Sequence, residues 1–468
     1  MYTSHEDIGY DFEDDPKDKK TLKSHPNIDS GWAWMVVLSS FFVHILIMGS
    51  QMALGVLNVE WLEEFHQSRG LTAWVSSLSM GITLIVGPFI GLFINTCGCR
   101  GTAIIGGLVN SLGWVLSAYA ANVHYLFITF GVTAGLGSGM AYLPAVVMVG
   151  RYFQKRRALA QGLSTTGTGF GTFLMTLLLK HLCAEYGWRD AMFIQGAVSL
   201  NLCVCGALLR PLAARGDPEG PGGEAPARPP GPGPGPGAAG PEEQAGEPRG
   251  ALGVLKTAGR LGRRVRKGFR DWSSGYFGTA SLFTNRRFVA FILWALFAYS
   301  SFVIPFIHLP EIVHLYRLSE QNDVFPLTSI IAIVHILAKV ILGVVADLPC
   351  IRVIFILPLM HTYAGLAVIC ALIGFSSGYF SLMPVVTEDL VGIEHLANAY
   401  GIIICANGIS ALLGPPFAGW IYDITEKYDF SFYICGLLYM VGILFLLIQP
   451  CIQMIEQSRK KYLDGAHV

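Results

Sequence analysis

Apolar runs alternate with short polar connections from Trp32 to Pro450, and one hydrophilic stretch divides the runs into two sets. Each run is about twenty residues long, the length that a helix needs to cross the hydrocarbon core of a bilayer. Before the hydrophilic stretch, the pattern predicts spans at 32–55, 72–95, 101–121, 124–148, 158–179 and 190–210. After it, the pattern predicts spans at 288–308, 324–346, 363–387, 396–421 and 430–450.

The composition agrees with an all-α polytopic membrane protein. Only 14% of the 468 residues are charged, whereas soluble domains carry about 25%. Uncharged helices need only lipid and one another when they lie in a bilayer. Lys+Arg and Asp+Glu both total 32, so the charge balance does not indicate a nucleic-acid partner. Chains that cross a membrane in two repeated halves are usually solute carriers with their site between the halves.

The pattern divides the chain into five segments. The hydrophilic stretch is rich in Gly and Pro up to residue 250 and basic from 256 to 270, and its composition is typical of a disordered loop. We predict an N-terminal tail, a first transmembrane half, the disordered loop, a second transmembrane half and a C-terminal tail, at 1–30, 31–212, 213–286, 287–450 and 451–468.

Lys and Arg predict the orientation. They are concentrated in the N-terminal tail, the 151–157 connection, the central loop and the C-terminal tail. Six spans in the first half put the first three of these segments on one side, which the positive-inside rule identifies as the cytoplasm. We therefore expect a plasma-membrane protein whose N-terminus, central loop and C-terminus are cytoplasmic.

The second half is one span short of the first. Only the segment 351–360 stands where a ninth span belongs, and ten residues cannot cross a bilayer. Gly91 and Gly343 begin equivalent Gly-x-x-x-Asn/Asp patterns 252 residues apart, whereas Gly162 and Gly401 lie in equivalent Ala-x-Gly patterns 239 residues apart. The second half is thus 13 residues shorter between these marks. We predict twelve ancestral spans, of which the ninth is truncated here.

Two sequence signatures identify a family. The segment 29–34 reads Asp-Ser-Gly-Trp-Ala-Trp and resembles the Asp-Gly-Gly-Trp-Gly-Trp signature that opens the first span of monocarboxylate transporters. The segment 152–162 reads Tyr-Phe-Gln-Lys-Arg-Arg-Ala-Leu-Ala-Gln-Gly and is similar to the second signature of that family, before the fifth span. Leu-Gly-Pro-Pro at 413–416 resembles its eleventh span. The chain is thereby identified as similar to the solute carrier 16 family of the major facilitator superfamily.

The resemblance implies a major-facilitator fold of two six-helix halves and proton-linked carriage of small monocarboxylates. It also implies a single-span ancillary glycoprotein as a partner, beside the solute, the proton and the lipid bilayer. We expect the signature residues to hold helix ends rather than to touch substrate, since aromatic and basic residues commonly anchor helices at the interface. These residues are Asp29, Gly31, Trp32, Trp34, Tyr152, Phe153, Lys155, Arg156, Arg157 and Gly162.

Ionisable residues inside the spans are the candidates for chemistry, because charge within a membrane is costly. His335 and Lys339 lie four residues apart in the eighth span and therefore share a helix face. His44 lies inside the first span, and Gln51 and Asn407 are uncharged polar residues within spans. These five are the predicted substrate or proton residues.

The family pattern differs here in an informative way. Proton-coupled members carry an aspartate and an arginine at the positions of His335 and Lys339, and a lysine where this chain has Met52. Lys339 retains a positive charge for a carboxylate, though without the bidentate geometry of arginine. His335 titrates near neutral pH and is able to replace the aspartate as proton carrier. Whether transport is proton-coupled stays open at this stage.

Other function classes stand beside a carrier. The chain shows no nucleophile, metal cluster or phosphate loop, so we expect no enzyme, metal or cofactor. The glycine runs at 135–139 and 167–171 lie within apolar helices, which favours close helix packing. Two alternatives to a proton-linked carrier remain: a proton-independent facilitator of aromatic or zwitterionic solutes, and a membrane scaffold or sensor without transport.

Overall fold

Helices form nearly all of the chain that the structure describes. The structure is a computed structural model, and it describes residues 29, 31–153, 156–210, 279–315, 327–342, 370–371, 373–374, 383–391 and 396–465. No strand occurs in these ranges. The predicted N-terminal tail, most of the central loop and the segment 351–360 lie outside them.

The first half contains a bundle of apolar helices. Its helices are α1 (Trp32–His44), α2 (Ser50–Met52), α3 (Leu54–Phe65), α4 (Arg69–Ile85), α5 (Gly87–Ser117), α6 (Val123–Leu126), α7 (Gly135–Tyr152), α8 (Arg157–Ser199) and α9 (Asn201–Leu208). The π-helical segments Ile45–Gly49 and Phe127–Ala134 join α1 to α2 and α6 to α7. Short polar side chains cap the start of two of these helices. The Ser68 hydroxyl accepts from the Leu71 amide, and the side-chain oxygen Oδ1 of Asn122 accepts from the Tyr125 amide.

The second half begins earlier than the apolar pattern predicts. A 3₁₀ helix, Thr279–Thr284, forms at the end of the predicted loop, and Asn285 then accepts hydrogen bonds from the Arg287 and Phe288 amides. The helices that follow are α10 (Arg286–Leu315), α11 (Leu327–Leu342), α12 (Met383–Val391), α13 (Leu396–Thr425) and α14 (Tyr428–Gly465).

Six helical stretches of the described chain are long and apolar enough to cross a membrane. They are Trp32–Phe65, Val123–Tyr152, Leu159–Leu208, Arg286–Leu315, Ala399–Thr425 and Tyr428–Ile448. Two of the breaks between predicted spans are kinks at single glycines with non-helical backbone, Gly98 (φ 72°) within α5 and Gly187 (φ 80°) within α8. Only glycine adopts this backbone conformation readily, so each of these glycines separates two crossings.

Several helices outlast the apolar pattern. The pattern predicts that the first span ends at residue 55, but the helix continues to Phe65 and ends where His66 takes a left-handed conformation. Helix α10 runs past the predicted residue 308 to Leu315, and α14 past 450 to Gly465. The hydrophobic pattern marks only the part of a helix that faces apolar surroundings, whereas backbone hydrogen bonding continues through the polar ends.

The helices define two opposite faces of the molecule. The Trp32 face carries Trp32, Tyr152 and Arg210. The Arg210 guanidinium lies over the Trp32 ring, and the Tyr152 hydroxyl donates to the Arg210 carbonyl. The Arg69 face carries Arg69 and the end of α10, where Arg69 pairs with Glu311. Helix α14 begins on the Arg69 face and runs antiparallel to α10: Ser301 contacts Cys435, and Phe297 stacks on Phe445. The last helix therefore runs toward the Trp32 face.

Within the described ranges, the two halves meet mainly where α4 packs on α13, α3 on α10, and α8 on α11. Glycines allow the close approach. Gly81 of α4 faces Gly408 of α13, and a Cβ added to Gly55 of α3 would lie 2.2 Å from the carbonyl oxygen of Phe306. Asn407 of α13 directly precedes Gly408, and His335 of α11 lies between Ala332 and Ile336, which pack on Gly169 of α8.

Candidate functional site

The two family signatures meet on the Trp32 face. The backbone amide of Asp29 donates to the carbonyl of Tyr152 at 3.0 Å, and the Asp29 carboxylate accepts from the Arg156 amide at 3.4 Å. The rings of Trp34 and Phe153 stand edge to face with centroids 5.2 Å apart. The start of the first span is thus attached to the connection between the fourth and fifth spans.

The end of the sixth span joins the same assembly. The Trp32 indole donates to the Leu208 carbonyl at 3.3 Å, and the Tyr152 hydroxyl donates to the Arg210 carbonyl at 2.8 Å. The Arg210 guanidinium lies over the Trp32 ring, 4.2 Å from its centroid. These contacts connect helix ends within the first half.

The remaining signature residues are two glycines, Gly31 and Gly162, and two basic residues, Lys155 and Arg157. Gly31 has a φ of 54°, and a Cβ added to Gly162 would meet no atom within 4 Å. Lys155 lies outside the described residues, and of Arg157 the structure describes the start of α8.

His44 lies fully buried at the end of α1. Its Nδ1 is 2.7 Å from the Ser40 carbonyl oxygen, and the Ser164 hydroxyl of α8 lies 3.4 Å from the same nitrogen. A carbonyl only accepts, so Nδ1 carries a proton in this arrangement. The ring stands edge-on to Tyr142 of α7, with centroids 5.2 Å apart. His44 therefore connects three helices of the first half.

Gln51 lies on the same span as His44 and is also buried. Its Nε2 donates to the Thr83 hydroxyl of α4 at 2.8 Å, while its Oε1 has no hydrogen-bond partner in the described chain. A buried amide oxygen without a partner is costly, and such a group is satisfied by a water or a ligand.

His335 lies buried in α11, where its ring stands edge-on to Phe302 of α10 with centroids 5.9 Å apart. Lys339 follows one turn later in the same helix. Asn407 of α13 is buried as well; its Nδ2 lies 4.0 Å from Met383 Sδ, and its Oδ1 has no partner in the described chain. The predicted residues of the second half therefore lie on two helices, α11 and α13.

Helix α8 packs against α1 beside His44 and against α11 beside His335. Gly167 is packed against Phe41 and His44 of α1, and Gly171 against Ile45 and Gly49. Gly169, on the opposite side, is packed against Ala332 and Ile336, the neighbours of His335 in α11. The glycine run at 167–171 thus serves close helix packing, which confirms that prediction, and it places one helix between His44 and His335.

Two tyrosines beside the buried histidines are not among the predicted residues. Tyr142 of the first half packs on His44, and Tyr299 of the second half packs on Phe302, which stands edge-on to His335. Hydrophobic patterning treats such residues as ordinary apolar positions, so no signal in the sequence separates them from packing residues. Glu311 escapes the prediction for another reason: it follows Pro310, beyond the predicted end of its span.

The chain matches a family of transporters over most of its length. The family model described as Major Facilitator Superfamily matches residues 40–370 and 348–461. Monocarboxylate transporter 14 of Homo sapiens is 80% identical, with both chains covered completely. The alignment runs over 511 positions and the chain has 468 residues, so at least 43 positions have no residue of this chain opposite them.

A more distant relative and a solved structure agree with this. Monocarboxylate transporter 9 of Rattus norvegicus is 33% identical over 92% of this chain and 96% of that protein. A crystal structure of a mutant of the peptide transporter POT, in complex with sulfate, superposes with a TM-score of 0.62 at 14% identity and covers 93% of this chain and 98% of its own. The predicted major-facilitator fold is confirmed, as is the expectation of a multi-pass membrane protein.

Proposed function

Because this chain belongs to the monocarboxylate transporter family of the major facilitator superfamily, we propose that it carries monocarboxylates or related small organic anions together with protons. Its family is one of transporters and not of enzymes. The carrier is secondary-active, and its two halves rock about a central site to expose that site to each side in turn. The observation that carries the proposal is the pair of buried histidines, His44 and His335, on either side of α8.

The proposed substrate site combines one cation with titratable and polar groups. Lys339 neutralises the substrate carboxylate as a point charge. His335, one turn before it, takes up the proton that travels with the anion, because imidazole titrates near neutral pH. Two cationic groups on one helix face repel each other unless an anion lies between them, which favours binding of an anion when His335 is protonated.

Polar groups of the other helices complete the proposed site. Gln51 and Asn407 each have a buried amide oxygen that no described residue satisfies. Such oxygens are suited to a substrate hydroxyl or to ordered water. His44 is held by Ser40 and Ser164 and packs on Tyr142, so we propose that it acts on the site through α8, whose opposite side packs on α11 beside His335.

A second function is favoured by one observation, the aromatic character of the centre. Tyr142 packs on His44, and Tyr299 packs on Phe302, which stands edge-on to His335. Aromatic rings bind apolar and aromatic solutes well through offset and edge-to-face contacts. A proton-independent facilitator of aromatic or zwitterionic solutes is therefore the alternative, and a scaffold or sensor without transport is the outcome if no solute moves.

We further propose that the Trp32 face is cytoplasmic, in the plasma membrane. The basic residues of the 151–157 connection adjoin this face, and α14 runs toward it with Arg459, Lys460 and Lys461 near its end. The positive-inside rule supports this assignment. A single-span ancillary glycoprotein, implied by the family resemblance, is the proposed protein partner.

The truncated ninth span limits the proposed function to a longer form of the chain. The alignment with the relative of Homo sapiens contains at least 43 positions with no residue of this chain opposite them, a number larger than the roughly 20 residues of one span. A major-facilitator half without one helix exposes packing surfaces to lipid.

Uptake measurements test the proposal. Cells that express the chain with a complete ninth span restored after Cys350 are screened with labelled monocarboxylates, aromatic amino acids and neutral solutes, at outside pH values of about 6 and about 8, on either side of the histidine pKa. A proton-linked carrier takes up a monocarboxylate faster at the lower pH, whereas a facilitator takes up its solute equally at both. Absence of uptake for every compound, with the protein at the surface, would support the scaffold.

A further inference from the structure

A charged cluster joins the two halves on the Arg69 face. We name it the Arg69 cluster, and it consists of Arg69, His308, Glu311, Asp423 and Tyr428. Arg69 belongs to the first half, and the other four belong to α10, α13 and α14 of the second half. Every contact of Arg69 with the cluster therefore crosses the interface between the halves.

The core of the cluster is an ion pair with one buried partner. Arg69 Nε donates to Glu311 Oε1 at 2.5 Å, and the two side chains are 30% and 5% exposed. The Tyr428 hydroxyl donates to the other carboxylate oxygen of Glu311. A buried carboxylate needs such partners, because loss of one leaves an uncompensated charge. Separation of the halves would remove Arg69 and leave Tyr428 to stabilise the carboxylate.

Asp423 adds a second connection in which a carboxylate of the second half binds donor groups of the first half. Its two carboxylate oxygens accept from the backbone amides of Arg69 and Gly70, at 2.9 and 3.0 Å. These amides lie in the first turn of α4, where a negative charge is favourable. The Arg69 guanidinium also lies over the Tyr422 ring, 4.1 Å from its centroid. Side chains of the second half thus neutralise both the helix end and the cation of the first half.

His308 fixes the second-half side of the cluster. It is fully buried; its Nε2 lies 2.9 Å from the Pro415 carbonyl oxygen and its Nδ1 lies 3.2 Å from the Tyr428 hydroxyl. Since a carbonyl only accepts, Nε2 carries a proton. His308 therefore links α10 to α13 and α14, the three helices that carry Glu311, Asp423 and Tyr428.

The packing below the cluster closes the same side toward the membrane centre. Along α4, Gly70, Trp74 and Gly81 share a stripe that faces α13, where they meet Trp420, Gly419 and Gly408. Ser77 lies on this stripe and is completely buried. These contacts close the space between α4 and α13 below the cluster.

We infer that the Arg69 cluster is a gate that holds the Arg69 face closed, and that Arg69 is the residue that releases it. The inference rests on the proposed alternating access. Opening breaks the pair of Arg69 with Glu311 and withdraws Asp423 from the start of α4. Loss of either contact shifts the carrier toward the form that is open on the Arg69 face.

The reactivity of a cysteine placed below the cluster shows whether the gate is open, and this measurement needs no transported substrate. A negative result for the gate is therefore distinguishable from failure of the proposed function. Ser77→Cys is a nearly isosteric change, and the Ser77 hydroxyl has no hydrogen-bond partner in the described chain to lose. Ser77 lies eight residues beyond Arg69, about 12 Å deeper along α4. Intact cells are treated with a membrane-impermeant thiol reagent, and the surface pool of the chain is isolated. The same chain without Ser77→Cys measures the labelling of native cysteines.

The expected results differ between variants of the cluster. Arg69→Ala and Glu311→Gln should each raise the labelling rate of Ser77→Cys by about tenfold, a typical size for coupling between two states. Arg69→Glu should do the same, and Arg69→Glu combined with Glu311→Arg should restore protection. Arg189→Ala is the matched control, because Arg189 pairs with Glu64 at 2.9 Å entirely within the first half.

The outcomes decide the inference in either direction. Faster labelling in the single variants, with protection in the exchanged pair and in Arg189→Ala, supports the gate. Labelling at the rate of the unaltered chain in Arg69→Ala and Glu311→Gln would overturn it. Labelling that rises equally in Arg189→Ala would overturn it too, since it would show a general loosening of the fold.

Discussion

His335 of α11 and Phe302 of α10 stand edge to face, with ring centroids 5.9 Å apart, inside the second half. An aromatic neighbour of this kind holds the imidazole in place and keeps part of its surface from water. His335 is only 4% exposed, so it is positioned rather than mobile. A buried, positioned imidazole one helical turn from a lysine is an arrangement suited to binding an anion and a proton together.

Lys339 is expected to be essential for transport of an anion. In the chain with the ninth span restored, Lys339→Gln removes the positive charge that we assign to the substrate carboxylate, so uptake should be abolished while surface expression persists. Lys427→Gln is the control, because Lys427 is exposed between α13 and α14. Labelled uptake and surface biotinylation are the measurements, and uptake at the unaltered rate in Lys339→Gln would remove Lys339 from the site.

Proton coupling is expected to depend on His335. Uptake should rise as the outside pH falls, because a lower pH protonates the imidazole and so favours the anion. His335→Ala should flatten this response, and His314→Ala, a change of an exposed histidine, should leave it unaltered. The measurement is initial uptake across a series of outside pH values. An unaltered chain whose uptake does not vary with pH would favour the facilitator.

The central loop is expected to lie in the cytoplasm. A cysteine introduced between Lys256 and Arg270 should resist an impermeant thiol reagent in intact cells and react after permeabilisation. Tyr119→Cys, in the connection before α6 on the opposite face, should react from outside in both conditions, since Tyr119 is 70% exposed. Reaction of the loop cysteine in intact cells would reverse the proposed orientation.

Close packing of the first and fifth spans is expected to matter for stability. A Cβ added to Gly49 would lie 2.5 Å from the backbone of Gly171, whereas one added to Gly162 would meet nothing within 4 Å. Gly49→Ala should therefore destabilise the protein by about 1–3 kcal/mol, a typical cost of overpacking. Gly162→Ala should be neutral or stabilising, because alanine favours helix over glycine by about 1 kcal/mol. Thermal unfolding in detergent compares the two, and equal midpoints would contradict the packing argument.

Much of the fold could be predicted from the sequence, because apolar runs of membrane length have few other uses. The predicted spans between Trp32 and Leu208 agree with the helices to within a few residues at most ends, and the major-facilitator fold followed from the two signatures. The predicted ends of the first, seventh and last spans are too early. Polar residues such as Glu64 end the hydrophobic pattern but not the helix.

The site was less accessible to prediction. His44, Gln51, His335 and Asn407 are predicted from their polarity inside spans, and all four are buried. That α8 separates His44 from His335 depends on which glycine faces which helix, and a single sequence does not contain that information. The Arg69 cluster escapes prediction because its central pair is 242 residues apart in sequence and lies at helix ends, where charge is ordinary.

The most direct test of the account is a comparison of the present chain with one in which a complete ninth span is restored after Cys350. Both are reconstituted in liposomes, and counterflow of labelled monocarboxylates is measured with and without a pH gradient. We predict that the restored chain transports, faster when the outside is acidic, that Lys339→Gln abolishes this transport, and that the present chain is poorly folded or inactive. Equal transport by the present and restored chains would contradict the account of the ninth span, and absence of monocarboxylate transport by both would contradict the proposed function.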